Sequence, residues 1–148
     1  MALTSGLLLA VLLGNTGCRT VKGAPPGSLA AVTITNRSMT DVELAIVTVF
    51  FSNGYTGGAS AAETYTFTKS GGEREKLAYG SSMFDHPLLV KVEVTTVQPD
   101  TNTVIVACKA WVIEAQNEMV FEETHPVHWL GRVPYEDLLK AVKTRLGQ

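Results

Sequence analysis

Two long stretches of alternating apolar and polar residues, joined by a short polar segment, constrain the fold of this chain more than any other feature. In residues 88–97 every second residue from Val90 to Val94 is valine, and polar side chains stand between them. In residues 103–114, one face likewise carries apolar side chains: Val104, Val106, Cys108, Ala110 and Val112. Alternation places one apolar and one polar face on a strand, as in an antiparallel sheet that is buried on one side. Because residues 98–102 are turn formers, we predict an antiparallel hairpin.

Two other segments have the spacing of amphipathic helices. Thr40 and Glu43 are spaced as a capping box, and Asn53-Gly54 ends the segment behind them. The β-branched residues of this first helix would also suit a strand. Pro134 suits the first position of a second helix, with acidic residues after it and basic residues at its end. The apolar positions that share one helical face are Val42, Ala45, Ile46, Val49 and Phe50 in the first helix, and Tyr135, Leu138, Leu139, Val142 and Leu146 in the second.

Shorter segments complete the predicted order β-α-β-β-β-α. Residues 31–35 and 62–69 are predicted strands, and residues 119–124 would add a short further strand to this order. Residues 55–60 and 125–133 are predicted loops, and residues 74–79 suit either a short strand or a single helical turn. Helices that are separate from the strands favour an α+β fold. We predict a two-layer sandwich, with an antiparallel sheet of about four or five strands and both helices on one face.

Composition limits the function classes. The apolar fraction of 45% and the charged fraction of 18% are those of one globular domain, which we place at residues 31–148. A net charge of −2, without blocks of like charge, argues against a nucleic-acid partner. Cys108 lies in a predicted strand, where a free cysteine usually acts as a small apolar side chain.

The first eighteen residues have a different character from the rest of the chain. Residues 7–13 are an uninterrupted apolar run. As a helix this run would rise only about 10 Å, far less than the roughly 30 Å hydrocarbon core of a bilayer. It is therefore too short to span a membrane, but it has the length of the hydrophobic region of a signal peptide. Small and polar residues follow at 14–17, and then Cys18.

This arrangement resembles the signal sequence of a bacterial lipoprotein. The resemblance implies that residues 1–17 are removed, that Cys18 carries the lipid anchor, and that residues 18–30 form a flexible linker. Arg19 directly after the cysteine implies the periplasmic side of an outer membrane, where the organism has one. Two features depart from the pattern: residues 1–6 contain no Lys or Arg, and Asn15 stands where leucine is usual. The alternative is an apolar N-terminal helix that is cleaved elsewhere or retained in the fold.

His125 and His128, with Glu122 just before them, are the best candidates for a metal site. Imidazole and carboxylate groups bind zinc and related metals. Pro126 stands between the histidines, so their spacing is not that of two ligands on one helix face. The alternative is a solvated polar loop.

The two tryptophans are candidate binding residues. Trp129 with Leu130 would suit an exposed anchor for a partner, or they would pack their loop onto the C-terminal helix. Trp111 shares a strand face with Lys109, on the exposed side of the sheet or under a covering loop. The leading functional hypothesis is a small, membrane-anchored envelope lipoprotein that acts as a non-enzymatic binding or accessory module. It would need no cofactor, and its partners would be the membrane and possible envelope proteins. The competing hypothesis is a metal-dependent enzyme that uses His125 and His128.

Overall fold

The structure, a computed structural model, describes residues 21–73, 75, 88–115 and 122–148. Its main elements in chain order are β1 (Ala30–Thr35), α1 (Met39–Ser52), β2 (Thr56–Ala61), β3 (Thr64–Ser70), β4 (Leu88–Asp100), β5 (Thr103–Ala115), β6 (Glu122–Pro126), a 3₁₀ helix (Trp129–Gly131) and α2 (Val133–Arg145). Within the described ranges, no helix combines the length and apolar character that crossing a membrane requires.

The strands form one antiparallel sheet in the order β1-β5-β4-β3-β2. The predicted hairpin is its centre: β4 and β5 pair along most of their length, with Val94 opposite Cys108. Asp100 closes the turn, because its carboxylate accepts a hydrogen bond of 2.9 Å from the Asn102 N–H. β6 also pairs with β5, so the described sheet has six strands. The predicted α+β fold is confirmed, with a slightly larger sheet.

Both helices cover the same face of the sheet, as predicted. The buried residues are Val42, Ala45, Ile46, Val49 and Phe50 on α1, and Tyr135, Leu138, Leu139 and Val142 on α2. They form one apolar cluster with the inward residues of the central strands. The Phe50 ring stacks on Phe67 of β3, with 4.4 Å between the ring centroids. This cluster is the core of the domain.

The start of α1 differs from the prediction, and its end agrees with it. Ser38, instead of Thr40, is the N-cap: its backbone is extended, and its hydroxyl accepts a 3.1 Å hydrogen bond from the Asp41 N–H. Ser38 is the better cap because its partner stands at the third helical position, where an N–H has no helical acceptor. At the other end, Asn53 is the C-cap and Gly54 has φ of 81°. The predicted stop at Asn53-Gly54 is confirmed.

The segment predicted as a loop at residues 55–60 is mostly a strand. β2 pairs with β3 through Gly57 opposite Phe67 and Ala59 opposite Tyr65. The approach at Gly57 is so close that a Cβ there would lie 2.1 Å from the Thr66 carbonyl oxygen, and φ is 135°. Glycine therefore permits this pairing, although glycine is rare in strands. The uncertain segment at residues 74–79 lies almost wholly outside the described residues.

The segment before β1 covers part of the sheet face that is opposite the two helices. Ile105 and Ala107 alternate with residues that face the helices, yet they are only 2% and 1% exposed. Residues 21–29 lie against them: a Cβ on Gly23 would be 2.8 Å from Ile105 Cδ1. The described part of the predicted linker at residues 18–30 is therefore packed on the sheet, because β5 has apolar residues on both faces there.

Candidate functional site

The candidate site lies at the edge of β5, where β1 begins and β6 ends. The two short strands follow one another along this edge. The Leu29 N–H donates to the Cys108 carbonyl at 2.8 Å, and the Val127 N–H donates to the Ala110 carbonyl at 2.9 Å. These bonds extend each ladder by one residue and satisfy the backbone where the strands stop. The segment before β1 and the segment after β6 therefore diverge from the same point on the edge of β5. A cleft lies between them.

The segment before β1 forms one wall of the cleft through two successive turns. The Ala24 N–H donates to the Val21 carbonyl at 3.1 Å, and the Ser28 N–H donates to the Pro25 carbonyl at 3.2 Å. The Ser28 hydroxyl donates to the same carbonyl at 2.6 Å. Gly23 has φ of 91°, a conformation that side chains rarely adopt. Proline, glycine and serine thus hold this wall in a defined shape.

The cleft has a volume of about 540 Å³. It is lined by the segment that leads into β1 and by the segment that follows β6. Residues 21–31 form one side. Val127, His128, Trp129, Arg132 and Glu136, from the end of β6 to the first turn of α2, form the other. Most of these side chains are apolar or small. Their exposed surface is nevertheless about equally polar and apolar, so the lining suits an amphipathic ligand better than a highly charged one.

An apolar patch lies on the rim of this cleft. Trp129 is 69% exposed, Leu130 71% and Val133 52%. We refer to these three residues as the apolar patch. The single 3₁₀ turn between β6 and α2 is too short to bury its side chains, and α2 directs its buried stripe from Tyr135 onward toward the core. Large apolar side chains this exposed and this close together indicate a contact surface.

The charged groups of the cleft pair with one another. Arg132 Nε lies 3.1 Å from Glu136 Oε1, one helical turn further on. Both side chains are about one-third exposed, so this ion pair contributes little to stability. Its main effect is to neutralise the charge beside the patch. Lys22, in the segment before β1, is exposed.

The two candidate metal-binding histidines lie in different local environments. His125 lies in β6 opposite Val112, and is half-buried. His128 is exposed and precedes the 3₁₀ helix, where it lines the cleft. The third candidate, Glu122, has a side chain outside the described set. Among the side chains that the structure describes, no group of three or more His, Cys, Asp or Glu could hold a metal ion.

The two tryptophans occupy different environments. Trp111 stands opposite Pro126 and is half-buried on the face that it shares with Lys109, as the alternation predicted. Lys91 Nζ lies 5.9 Å from the centre of its ring, which suits a weak cation–π contact. Trp129 is mostly exposed. Of the two tryptophans, Trp129 therefore has the accessibility that a binding residue needs.

Cys108 is in an environment that suppresses thiol chemistry. Its side chain is only 2% exposed, beneath the helices. Burial raises the pKa of the thiol to about 12, although a backbone hydrogen bond from Ala30 opposes this shift. A thiol reacts through its thiolate, and this one stays protonated at neutral pH. The other cysteine, Cys18, lies outside the described residues.

Comparison with known proteins gives no relative. No protein-family profile matches the chain, and no curated protein sequence is significantly similar to it. The function therefore has to be argued from the chain's own residues.

Sequence patterns indicated only part of this site. His128 and Trp129 with Leu130 were candidates, whereas Val133 and the wall before and in β1 were not. One signal for the wall was present: residues 104–108 are apolar without a break, which is typical of a strand that is covered on both faces. The exposed patch has no comparable signal, because a short run such as Trp-Leu-Gly-Arg-Val reads equally well as a buried loop.

Proposed function

We propose that this protein is a lipid-anchored domain of the bacterial cell envelope and acts as a non-enzymatic binding or accessory module. The observation that carries the proposal is the stretch at residues 7–18, an apolar run of signal-peptide length followed by small residues and Cys18. After cleavage, Cys18 is the first residue and bears the lipid. The proposed location is the periplasmic side of an outer membrane, where the organism has one.

The position of the N-terminal segment supports this proposal. Val21, three residues after Cys18, lines the cleft at the edge of the sheet. Three extended residues span about 10 Å. An anchor on Cys18 would therefore hold the cleft close to the lipid surface. Because the lining exposes polar and apolar surface in about equal parts and its Arg132–Glu136 pair is already neutralised, the cleft suits binding of an amphipathic group.

The decisive measurement is the mass of the mature N-terminal peptide, taken from bacterial membranes. We expect residues 1–17 to be absent and Cys18 to carry a mass increment of diacylglycerol size. A Cys18→Ala chain should lack the increment, and a Cys108→Ala chain should retain it, because the buried Cys108 takes no part. An unmodified N-terminus on protein from the soluble fraction would refute the anchor.

Metal analysis separates this proposal from the competing hypothesis. A metal-dependent enzyme that uses His125 and His128 would be purified with a stoichiometric ion. It would also lose thermal stability when a chelator is added, and this loss would disappear in a His125→Ala, His128→Ala chain. A binding module should show the same melting temperature with and without chelator.

A further inference from the structure

The apolar patch and the proposed lipid anchor lie on the same side of the domain. Val21 and Trp129 line opposite walls of one cleft. The chain between Cys18 and Val21 can span only about 10 Å. A lipid on Cys18 would therefore bring the bilayer surface to the rim where Trp129 and Leu130 are exposed.

The chemistry of this rim matches the membrane interface. Tryptophan is enriched at the level of the lipid head groups, because its ring is apolar while its N–H remains a hydrogen-bond donor. Leucine and valine beside it supply side chains that partition toward the acyl chains. Arg19 and Lys22 both lie within four residues of Cys18, and Lys22 is exposed. Positive side chains close to anionic head groups are attracted to them.

The size of the patch favours a bilayer over a protein partner. A stable protein interface buries about 800 Å² on each partner, which typically takes 20 to 30 residues. Three exposed apolar side chains are far fewer. A contact with the bilayer has no such minimum when the domain is already tethered, because the tether makes the contact intramolecular and raises its effective concentration.

We propose that the patch formed by Trp129, Leu130 and Val133 rests in the lipid interface and fixes the orientation of the anchored domain. This inference rests on the proposed lipid anchor at Cys18. In this orientation the edge of β1 and β6 faces the membrane. The opposite edge, formed by β2, faces away, together with the exposed Phe51 of α1.

Depth-dependent quenching of tryptophan fluorescence tests this orientation. The full chain, processed in bacteria and purified from their membranes, is reconstituted into vesicles of phosphatidylethanolamine and phosphatidylglycerol that contain lipid brominated near the head group. A Trp111→Phe chain leaves Trp129 as its only tryptophan. Because interfacial tryptophans lie close to the first acyl carbons, we expect the bromolipid to lower its emission about twofold.

A matched control places the same probe on the opposite side of the domain. Phe51 is 51% exposed, and its ring contacts Phe67 of β3. β3 lies three strand spacings, or about 14 Å, from β6 in the sheet. A Phe51→Trp chain in which Trp111 and Trp129 are replaced by phenylalanine should not be quenched. Circular dichroism of each variant checks that the fold is retained. Equal quenching of both probes would overturn the proposed orientation.

The N-terminal mass, measured on the same samples, separates the two proposals. A lipidated chain whose Trp129 escapes the bromolipid would overturn the orientation and leave the anchor intact. An unlipidated chain would overturn the anchor and, with it, the inference that rests on it. If Trp129 were shielded from aqueous iodide but not quenched by the bromolipid, protein or the chain's own N-terminal segment would cover the patch, and the proposed lipid contact would be wrong.

Discussion

Phe50 and Phe51 are consecutive on α1, but truncating them to alanine should have very different effects. Phe50 is fully buried, and its ring packs against Phe67 and Tyr55 at centroid distances of 4.4 and 5.2 Å. Phe→Ala in a core costs about 3–5 kcal/mol, and two aromatic contacts place Phe50 near the upper end. Phe51 is about half exposed and makes one edge contact with Phe67 at 6.4 Å. We expect about 1 kcal/mol for Phe51→Ala.

The measurement is urea unfolding of the full chain and both variants, followed by far-UV circular dichroism. The difference of about 3 kcal/mol between the variants is a large part of the 5–15 kcal/mol that stabilises a typical domain. If Phe50→Ala does not fold, Phe50→Leu should still be less stable than the wild type and less stable than Phe51→Leu. A cost for Phe51→Ala equal to or above that for Phe50→Ala would refute the packing of α1 on the sheet.

Alkaline pH and one glycine provide two further tests. Burial raises the pKa of the Cys108 thiol from its ordinary 9.0 to about 12. Burial, with a smaller effect of the Glu75 charge, raises the pKa of Tyr55 from its ordinary 10.0 to about 12. Above pH 9 the unfolded chain therefore binds fewer protons than the folded one, so the free energy of unfolding should fall from pH 9 to 12. Between pH 9 and 10, Cys108→Ala should remove a slope of up to about 1.4 kcal/mol per pH unit, and urea titrations with equal slopes in both chains would contradict this. Gly57→Ala places a Cβ 2.1 Å from the Thr66 carbonyl oxygen and should detach β2 from β3. We expect faster amide hydrogen exchange in both strands. In the control Gly58→Ala the added Cβ meets open space, so its amides should exchange as in the wild type. Equal exchange in the two variants would disprove the close approach.

The elements that the sequence predicted well are those whose local pattern and tertiary role agree. β4 alternates between apolar and polar residues, β5 has an apolar residue at every second position from Val104 to Val112, and α1 and α2 each have one apolar face, so periodicity and core packing require the same structure. β2 was missed because Thr-Gly-Gly-Ala-Ser-Ala has no strand propensity of its own. It pairs because Gly57 allows close approach to β3, a tertiary effect that no local pattern contains.

The candidate site was less predictable than the fold, for a physical reason. Its walls come from residues 21–31 and from Val127 to Glu136, which are about 100 positions apart in the sequence and meet only at the edge of β5. Residues 21–28 read as a linker because proline and glycine also dominate linkers. The exposure of Trp129 depends on the short connection before α2, which the spacing of apolar residues did not indicate.

The sharing of the β5 edge by β1 and β6 also dictates the order of assembly. Ala30 pairs with Cys108 and Thr35 with Thr103, so each residue of β1 waits for a partner made about 70 residues later. The other wall of the cleft comes from still later residues. As the chain emerges from the ribosome, β1 therefore has no sheet to join until β5 has been synthesised. The edge of the sheet that carries both walls of the cleft thus forms only after β5 exists, however early β1 is made.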